Sequence, residues 1–307
     1  MQKPLIALII VLALVAGGAY WYHQTYQAAP VAENPASGDT TQQQASTTVP
    51  ITSAIQAQTV IGKSVEGRDI VAYNFGDLSG SSSTKQILFV GGIHGGYEWN
   101  TALVAYQLVD YLKSTPNAVP AGERVTVIPA VNPDGLHKVT GKDGEFAATD
   151  VNPSQDVQVA GRFNANTVDL NRNFDCDWQA SGVWQTKKVS GGSAAFSEPE
   201  SLAIKSYVEA NPPSIVIAWY SSAGGVYASN CHGGVLPETS TISGVYANAS
   251  GYPAHQSFDF YATTGDMTNW LAKMKIPAFS VLLTNHTDAE WTKNQKGVQA
   301  VLEHYAK

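Results

Sequence analysis

Apolar residues occur in short runs, separated by longer stretches in which apolar and polar positions recur at helical spacing. Three of these runs, residues 86–90, 214–219 and 278–283, are almost wholly apolar, which is typical of strands buried on both faces. Amphipathic stretches predict helices over residues 101–113, 197–210, 266–275 and 288–306. The polar stretch over residues 138–166 is interpreted as a loop. Because strands and helices alternate, we predict one α/β domain with a mostly parallel mixed sheet covered by helices on both faces.

The start of the chain carries one long apolar run instead of this alternation. Residues 4–22 contain no charged side chain, and a run of that length can span a bilayer as one helix. Trp21 and Tyr22 stand at its end, where interfacial aromatic residues are common. We therefore predict a signal-anchor over residues 1–23, with the rest of the chain outside the cytoplasm. A small-residue site at residues 17–19 leaves cleavage and secretion open as an alternative.

The next stretch differs in composition from everything that follows it. Residues 24–56 are rich in Pro, Ala, Ser, Thr and Gln and hold few large apolar side chains. Such a segment cannot bury enough apolar surface to fold. It is predicted to be a flexible linker between the anchor and a folded domain over residues 57–307.

Charge and cysteine content narrow the possible partners. The chain has 307 residues and a net charge of -7, and no cluster of Lys or Arg is present, so nucleic acid is not expected as a partner. Cys176 and Cys231 are the two cysteines. In an exported protein such a pair favours a disulfide over the two alternatives, free thiols or soft metal ligands.

A glycine-rich turn directly after the first apolar strand carries the first candidate chemistry. His94 and Glu98 lie in this turn, between the strand at residues 86–90 and the helix predicted from residue 101. Such turns place polar side chains at the carboxyl edge of a sheet, where α/β proteins bind ligands. His and Glu so close together can share a metal ion. The alternative is a tight turn around a buried, hydrogen-bonded histidine.

This turn is one of several motifs that follow one another along the chain. They lie at residues 61–68, 90–100, 132–135, 162–173, 196–200 and 261–270. In this order they resemble zinc metallocarboxypeptidases of the carboxypeptidase A type over about residues 57–305. The resemblance implies a carboxypeptidase-like α/β fold, one zinc ion, and hydrolysis of the last residue from peptides.

The resemblance also implies roles for single residues of the substrate site. Arg162 corresponds to an arginine that polarises the scissile carbonyl. Asn171 and Arg172 correspond to the pair that binds the terminal carboxylate, which suits the planar fork of a guanidinium. Tyr261 corresponds to a tyrosine that closes over the substrate. For Arg172 the structural alternative is an ion pair with an aspartate nearby in the sequence.

Three positions depart from the family pattern at the metal site. Three residues separate His94 from Glu98, where the common spacing of these two zinc ligands has two. The third ligand, a histidine in the family, is replaced by Tyr220, and a phenol with an ordinary pKa of about 10 is a poor zinc ligand. The general base, a glutamate in the family, is replaced by Leu282, which cannot transfer a proton.

Two functions are consistent with this mixture of matches and departures. The first is a membrane-tethered or secreted zinc carboxypeptidase that acts on peptides or cell-wall peptides outside the cytoplasm. The second is a pseudo-peptidase that keeps the fold and binds peptide carboxy termini. Tyr220 and Leu282 are explained by the second function. His232, His286 and Glu290 are candidates to replace the missing groups, although His286 is interpreted as part of the scaffold.

Overall fold

The structure of the protein, a computed structural model, describes residues 57–306. Its strands are β1 (Ala57–Lys63), β2 (Asp69–Gly76), β3 (Lys85–Val90), β4 (Glu123–Ile128), β5 (Ser181–Trp184), β6 (Lys187–Ser190), β7 (Ile215–Ser221), β8 (Gly225–Ala228), β9 (Ala254–His255) and β10 (Ala278–Leu283). Its α-helices are α1 (Trp99–Ser114), α2 (Pro133–Thr140), α3 (Gln155–Ala160), α4 (Pro199–Ala210), α5 (Pro237–Ser250), α6 (Met267–Lys273) and α7 (Trp291–Tyr305). The predicted anchor and linker, residues 1–56, lie outside the described residues.

Eight of the strands form one mixed sheet in the order β1-β2-β4-β3-β7-β10-β8-β9. The four central strands, β4, β3, β7 and β10, run parallel to one another. On one flank β2 is antiparallel to β4, and on the other β8 is antiparallel to β10. The predicted mostly parallel mixed sheet is confirmed.

The sheet is covered on both faces. One buried cluster includes Phe89, Leu108 and Val298 and packs the sheet against α1, α5 and α7. A second cluster includes Leu88 and Ile204 and packs the other face against α4 and α6. Adjacent residues of β3 enter opposite clusters because successive side chains of a strand point to opposite faces.

Part of the stretch predicted to be a loop is helical. Residues 138–166 contain the end of α2, a 3₁₀ turn at Ala148–Asp150 and the short helix α3. The hairpin of β5 and β6 was also not predicted. Across the described residues, no helix combines the length and the apolar character needed to cross a membrane.

The sheet brings three separate parts of the chain to one edge. Strands β3, β7 and β10 are parallel neighbours, so their carboxyl ends lie side by side. Leu282 in β10 is in register with Tyr220 in β7, and the turn with His94 and Glu98 follows β3. The fold thereby assembles residues that are far apart in the sequence.

Candidate functional site

A cavity of about 170 Å³ opens at this carboxyl edge. Seven of the residues predicted from the sequence line it: His94, Glu98, Asn171, Arg172, Tyr220, Tyr261 and Leu282. Arg162 does not line this cavity. Its side chain is 1% exposed and lies behind His94, against which it packs. The positions identified by motif order therefore converge on one site.

The glycines of the turn are required by close packing. A Cβ atom on Gly96 would lie 2.1 Å from Val139 Cγ2, and Gly95 has a positive φ of 44°. Both glycines lie against the backbone of α2 and of Gly161. This tight path accommodates the extra residue between His94 and Glu98 and still turns both side chains toward each other.

His94 and Glu98 form a close but poorly aligned pair. His94 Nδ1 lies 2.9 Å from Glu98 Oε1, yet this buried nitrogen has no hydrogen-bond partner among the described residues. Glu98 Oε2 accepts a hydrogen bond of 3.0 Å from the backbone N–H of Ser221. Burial opposes ionisation, but His94 and Arg162 hold the pKa of Glu98 below its ordinary value. Two buried atoms of the kinds that bind metal ions thus lie side by side.

Arg162 fills the space on the other side of the His94 ring. Its Nη2 contacts Asp169 Oδ2 at 2.9 Å and His94 Nε2 at 2.8 Å, and its guanidinium stacks over Trp184 at 4.3 Å. Burial opposes ionisation of Asp169, but the Arg162 guanidinium holds the pKa of that carboxyl well below its usual range. Because a guanidinium only donates hydrogen bonds, His94 Nε2 accepts from Arg162 in this contact.

The residues present do not complete a catalytic zinc site. Such a site has three protein ligands and an open position, with deprotonated ligand atoms. Tyr220 is the residue that the resemblance places at the third-ligand position, but its hydroxyl donates a hydrogen bond to Asn171 Oδ1 at 3.2 Å. Burial also raises the pKa of Tyr220 well above its ordinary value, so it is a neutral phenol. No group of three His, Cys, Asp or Glu side chains within residues 57–306 is arranged to hold a metal ion.

Arg172 is a buried cation without a carboxylate partner. It is 1% exposed and donates to two backbone carbonyls, Asn171 O at 2.7 Å and Val183 O at 2.8 Å. No carboxylate of the described residues lies within 4.0 Å of it. A buried charge of this kind is costly unless an anion accompanies it. Since Arg172 lines the cavity, the cavity is suited to an anionic group.

The structure does not show Arg172 in an ion pair with an aspartate that is nearby in the sequence, which was the alternative role considered for it. Asp169 pairs with Arg162, and Asp175 pairs with Lys273 at 2.9 Å. Both aspartates near Arg172 in the sequence therefore balance other cations.

Asn171 is held by the protein through both ends of its amide. Its Nδ2 donates to Asp266 Oδ2 at 2.8 Å, and its Oδ1 accepts from Tyr220 and from the backbone N–H of Met267. In this arrangement Asn171 positions the wall of the cavity, and Arg172 supplies the charge. Tyr261 lies beside that charge, with its ring centroid 5.9 Å from the Arg172 guanidinium carbon.

Leu282, which the resemblance places at the general-base position, makes the cavity wall apolar there. Its side chain lies in the cavity wall at the level of Tyr220, with which it is in register. Its 7% exposure shows that it is packed rather than extended into solvent. No proton acceptor is therefore available at this position.

Two aspartates of the site were not identified from the sequence. Asp169 pairs with Arg162, and Asp266 accepts from Asn171 and caps α6 by accepting from Asn269 N–H at 2.8 Å. Asp169 lies within the motif at residues 162–173, two residues before Asn171. That proximity to Asn171 is the feature of the sequence from which Asp169 could have been identified.

A disulfide connects two segments near the cavity. Cys176 and Cys231 form the bond, with their Cα atoms 6.2 Å apart, and the predicted pairing is confirmed. Cys176 O accepts from Gly265 N–H at 2.7 Å. The disulfide therefore connects the segment after Arg172 to the segment of Asn230, a further residue of the cavity wall, and the backbone hydrogen bond connects the same segment to the loop that holds Tyr261.

Known proteins match the chain in both sequence and fold. Residues 51–287 match the Peptidase_M14 family, described as zinc carboxypeptidase. The human carboxypeptidase N catalytic chain is 30% identical over 208 residues, which is 65% of this chain and 40% of that protein. Carboxypeptidase E of Caenorhabditis elegans is 27% identical over 232 residues, covering 69% of this chain and 43% of that protein. The chain thus spans less than half the length of these relatives.

Solved structures share the fold at low sequence identity. Carboxypeptidase A from Helicoverpa armigera superimposes with a TM-score of 0.64 at 20% identity, covering 82% of this chain and 69% of that one. The murein-tripeptide amidase MpaA from Escherichia coli O157 gives 0.54 at 20% identity, covering 81% and 92%. The sequence match over most of the chain, together with this fold, shows that the chain belongs to the zinc carboxypeptidase family.

Proposed function

We propose that this domain binds the free carboxy terminus of a peptide without catalysing the zinc-dependent hydrolysis typical of its family. The observation that carries the proposal is Arg172, a buried guanidinium in the cavity wall with no carboxylate partner in the described chain. A peptide carboxylate would supply the missing negative charge. The planar fork of a guanidinium also matches the two carboxylate oxygens.

The surroundings of Arg172 fit a terminal residue. The cavity of about 170 Å³ is much larger than the water-sized voids of an ordinary interior. Tyr261 covers the guanidinium from one side, and Phe258 adds an aromatic wall. A ligand can therefore place its carboxylate on Arg172 and its side chain in the cavity.

Tyr220 and Leu282 argue against the ordinary reaction. A general base contributes about 10²–10⁴-fold to such reactions, and Leu282 provides none. The Tyr220 hydroxyl donates its proton within the protein and offers no anionic ligand atom. Loss of both groups removes metal binding and proton transfer together, while carboxylate recognition at Arg172 is left intact.

The ligands we propose are peptides or cell-wall peptides outside the cytoplasm. The murein-tripeptide amidase shares the fold with this domain, which makes short cell-wall peptides a reasonable first set to test. The sequence of residues 1–23 predicts the placement outside the cytoplasm, either attached to a membrane or secreted after cleavage.

A working carboxypeptidase is the second candidate. The orphaned His94 Nδ1 beside Glu98 Oε1 favours it, because these atoms are two of the three ligands that a zinc ion would need. Bound zinc would supply an activated water and a polarised carbonyl. The residues of this chain hold two ligand atoms for it and no base.

Peptide binding tests the proposal. A peptide with a free carboxylate and its amidated counterpart are titrated into the protein by calorimetry. Hydrogen bonds to charged groups contribute about 1.5–3 kcal/mol, so the free peptide should bind about 10- to 150-fold more tightly. Arg172→Met should abolish this preference.

A matched arginine provides the control. Arg124 lies in β4, away from the cavity, and donates to Asn74 Oδ1, so Arg124→Met should keep the preference. Equal affinity of the wild-type protein for both peptides, with both variants folded by circular dichroism, would rule out Arg172 as the carboxylate site.

A further inference from the structure

A second cavity of about 490 Å³ adjoins the carboxylate cavity. Glu98, Tyr261 and Leu282 line both. Ser222 and His286 line the second one, and Ser222 is exposed to solvent there. A ligand held in the first cavity can therefore extend into the second cavity, toward Ser222 and His286.

Hydrogen bonds link Asn100, Ser221, His286 and Ser222 in a row beside this cavity, and the donor in each bond can be assigned from the bond before it. The row starts at Asn100, which is fully buried and donates through Nδ2 to the backbone carbonyls of Asn285 at 2.7 Å and Asp288 at 2.9 Å. Carbonyls only accept, so the Asn100 Oδ1 faces Ser221. Ser221 Oγ donates to that oxygen at 3.3 Å.

The tautomer of His286 follows from the direction of the hydrogen bond between Ser221 and Asn100. Ser221 has one hydroxyl proton, which Asn100 Oδ1 accepts, so its Oγ accepts from His286 Nδ1 at 2.7 Å. The proton of the imidazole then lies on Nδ1, and Nε2 carries a lone pair. Ser222 Oγ lies 3.3 Å from Nε2 and donates to it. This assignment gives one proton to every contact in the row.

The surroundings keep the ring in its basic form. Burial lowers the pKa of His286, with Arg162 and His94 acting in the same direction and Glu98 opposing them. Tyr97 packs on the ring, with centroids 4.6 Å apart. His286 is thus a neutral, oriented imidazole whose free nitrogen faces a solvent-exposed hydroxyl.

We propose that Ser222 is an activated nucleophile and that His286 is its general base. Ser222 Oγ would bond to a substrate carbonyl carbon while its proton passes to His286 Nε2. The same nitrogen would protonate the leaving amine or alcohol as the bond to it breaks, giving an acyl-serine. Water, deprotonated by His286, would then release the acid and free Ser222.

The substrate class is an amide or ester that carries a free carboxylate. Arg172 in the adjoining cavity would hold this carboxylate, so this part of the inference rests on the proposed function. The reactivity of Ser222 does not rest on it. Asn100 and Ser221 are positioning residues that fix the tautomer of His286.

Covalent labelling tests the nucleophile directly. The full chain is treated with a fluorophosphonate probe, which bonds to activated serines, and the modified peptide is identified by mass spectrometry. One label at Ser222 is expected in the wild-type protein. Ser222→Ala should remove it, and His286→Gln should slow it at least about 100-fold, as expected for loss of a general base.

Controls separate this inference from the proposed function and from misfolding. Ser240→Ala removes another exposed serine, on α5, and should leave labelling unchanged. Ser222→Ala should keep the preference for peptides with a free carboxylate. No label at Ser222 in the wild-type protein, or equal labelling rates in the wild type and His286→Gln, would overturn the inference.

Discussion

Buried charges organise the site at the scale of single residues. Arg162 and Asp169 neutralise each other within the protein. Arg172, equally buried, donates only to backbone carbonyls of the described chain. This difference is why we propose Arg172, and not Arg162, as the group that recognises a carboxylate.

Glu123 is a buried charge of a different kind, and it makes stability depend on pH. Neither carboxylate oxygen has a hydrogen-bond partner among the described residues, and burial raises its pKa from 4.5 to about 7. The folded state therefore binds a proton that the unfolded state has released. The contribution of Glu123 to the free energy of unfolding should be greatest below about pH 4.5 and should fall as the pH rises to about 7. The loss is at most about 3 kcal/mol.

Urea unfolding of Glu123→Gln between pH 5 and pH 8 checks this prediction. The variant should lose most of the decline in unfolding free energy that the wild type shows over this range. Glu303→Gln changes an exposed glutamate on α7 and should keep the wild-type decline. Parallel curves for the wild type and Glu123→Gln would show that Glu123 is not the cause.

From the sequence, the residues that line the cavity could be predicted. The hydrogen-bond partners of those residues could not. Motif order was enough to bring Arg172, Tyr220 and Leu282 to one cavity. It did not predict that the Asn171 amide would be engaged by Asp266 and Tyr220. Hydrogen-bond partners depend on side-chain geometry across distant segments, which spacing along one chain does not encode.

At the scale of elements, strands buried on both faces were the easiest to predict. Strands β3, β7 and β10 are mostly apolar, and their parallel pairing follows from the helices between them. The hairpin of β5 and β6 was missed because Ser181–Ser190 is short, polar and outside the main sheet. Its position depends on tertiary contacts, such as that of Trp184 with Arg162.

The disulfide should contribute to both stability and binding. Cys176 and Cys231 close a loop of 55 residues, and the chain-entropy model gives about 4 kcal/mol for such a loop. The double change of Cys176 and Cys231 to Ser should therefore lower the free energy of unfolding by about 2–4 kcal/mol. It should also weaken binding of a free peptide carboxy terminus, because the bond joins the segment after Arg172 to the segment of Asn230, and both residues line the cavity.

Chemical unfolding and peptide titration of that double variant measure the two effects. The wild-type protein in reductant should behave like the variant, which serves as the internal control. Unchanged stability and unchanged peptide affinity in both samples would show that the bond plays no part in the site.

At the scale of the whole molecule, the sequence predicts three segments, of which the structure describes the last. Residues 57–306 form a two-faced α/β domain whose site lies at the sheet edge. The predicted anchor over residues 1–23 and linker over residues 24–56 stay predictions. A tether of this kind would hold the carboxylate site away from a membrane surface.

Cell fractionation tests the anchor. The full chain should sediment with membranes and resist washing in high salt, because its apolar segment is long enough to span a bilayer. A chain that starts at Ala57 should be found in the soluble fraction. Release of the full chain into the medium, shortened near residues 17–19, would show that the segment is a cleaved signal.

The central claim is that carboxylate recognition persists while zinc-dependent hydrolysis is lost. Release of the terminal residue from a bound peptide, followed by mass spectrometry at saturating zinc, tests it most directly. The family-type ligand and base are restored by the double change Tyr220→His and Leu282→Glu. We predict that this variant binds about one zinc per chain and releases the residue at least about 100-fold faster than the wild type. Steady release by the wild-type protein, with one zinc per chain and at a rate equal to that of the variant, would contradict the claim.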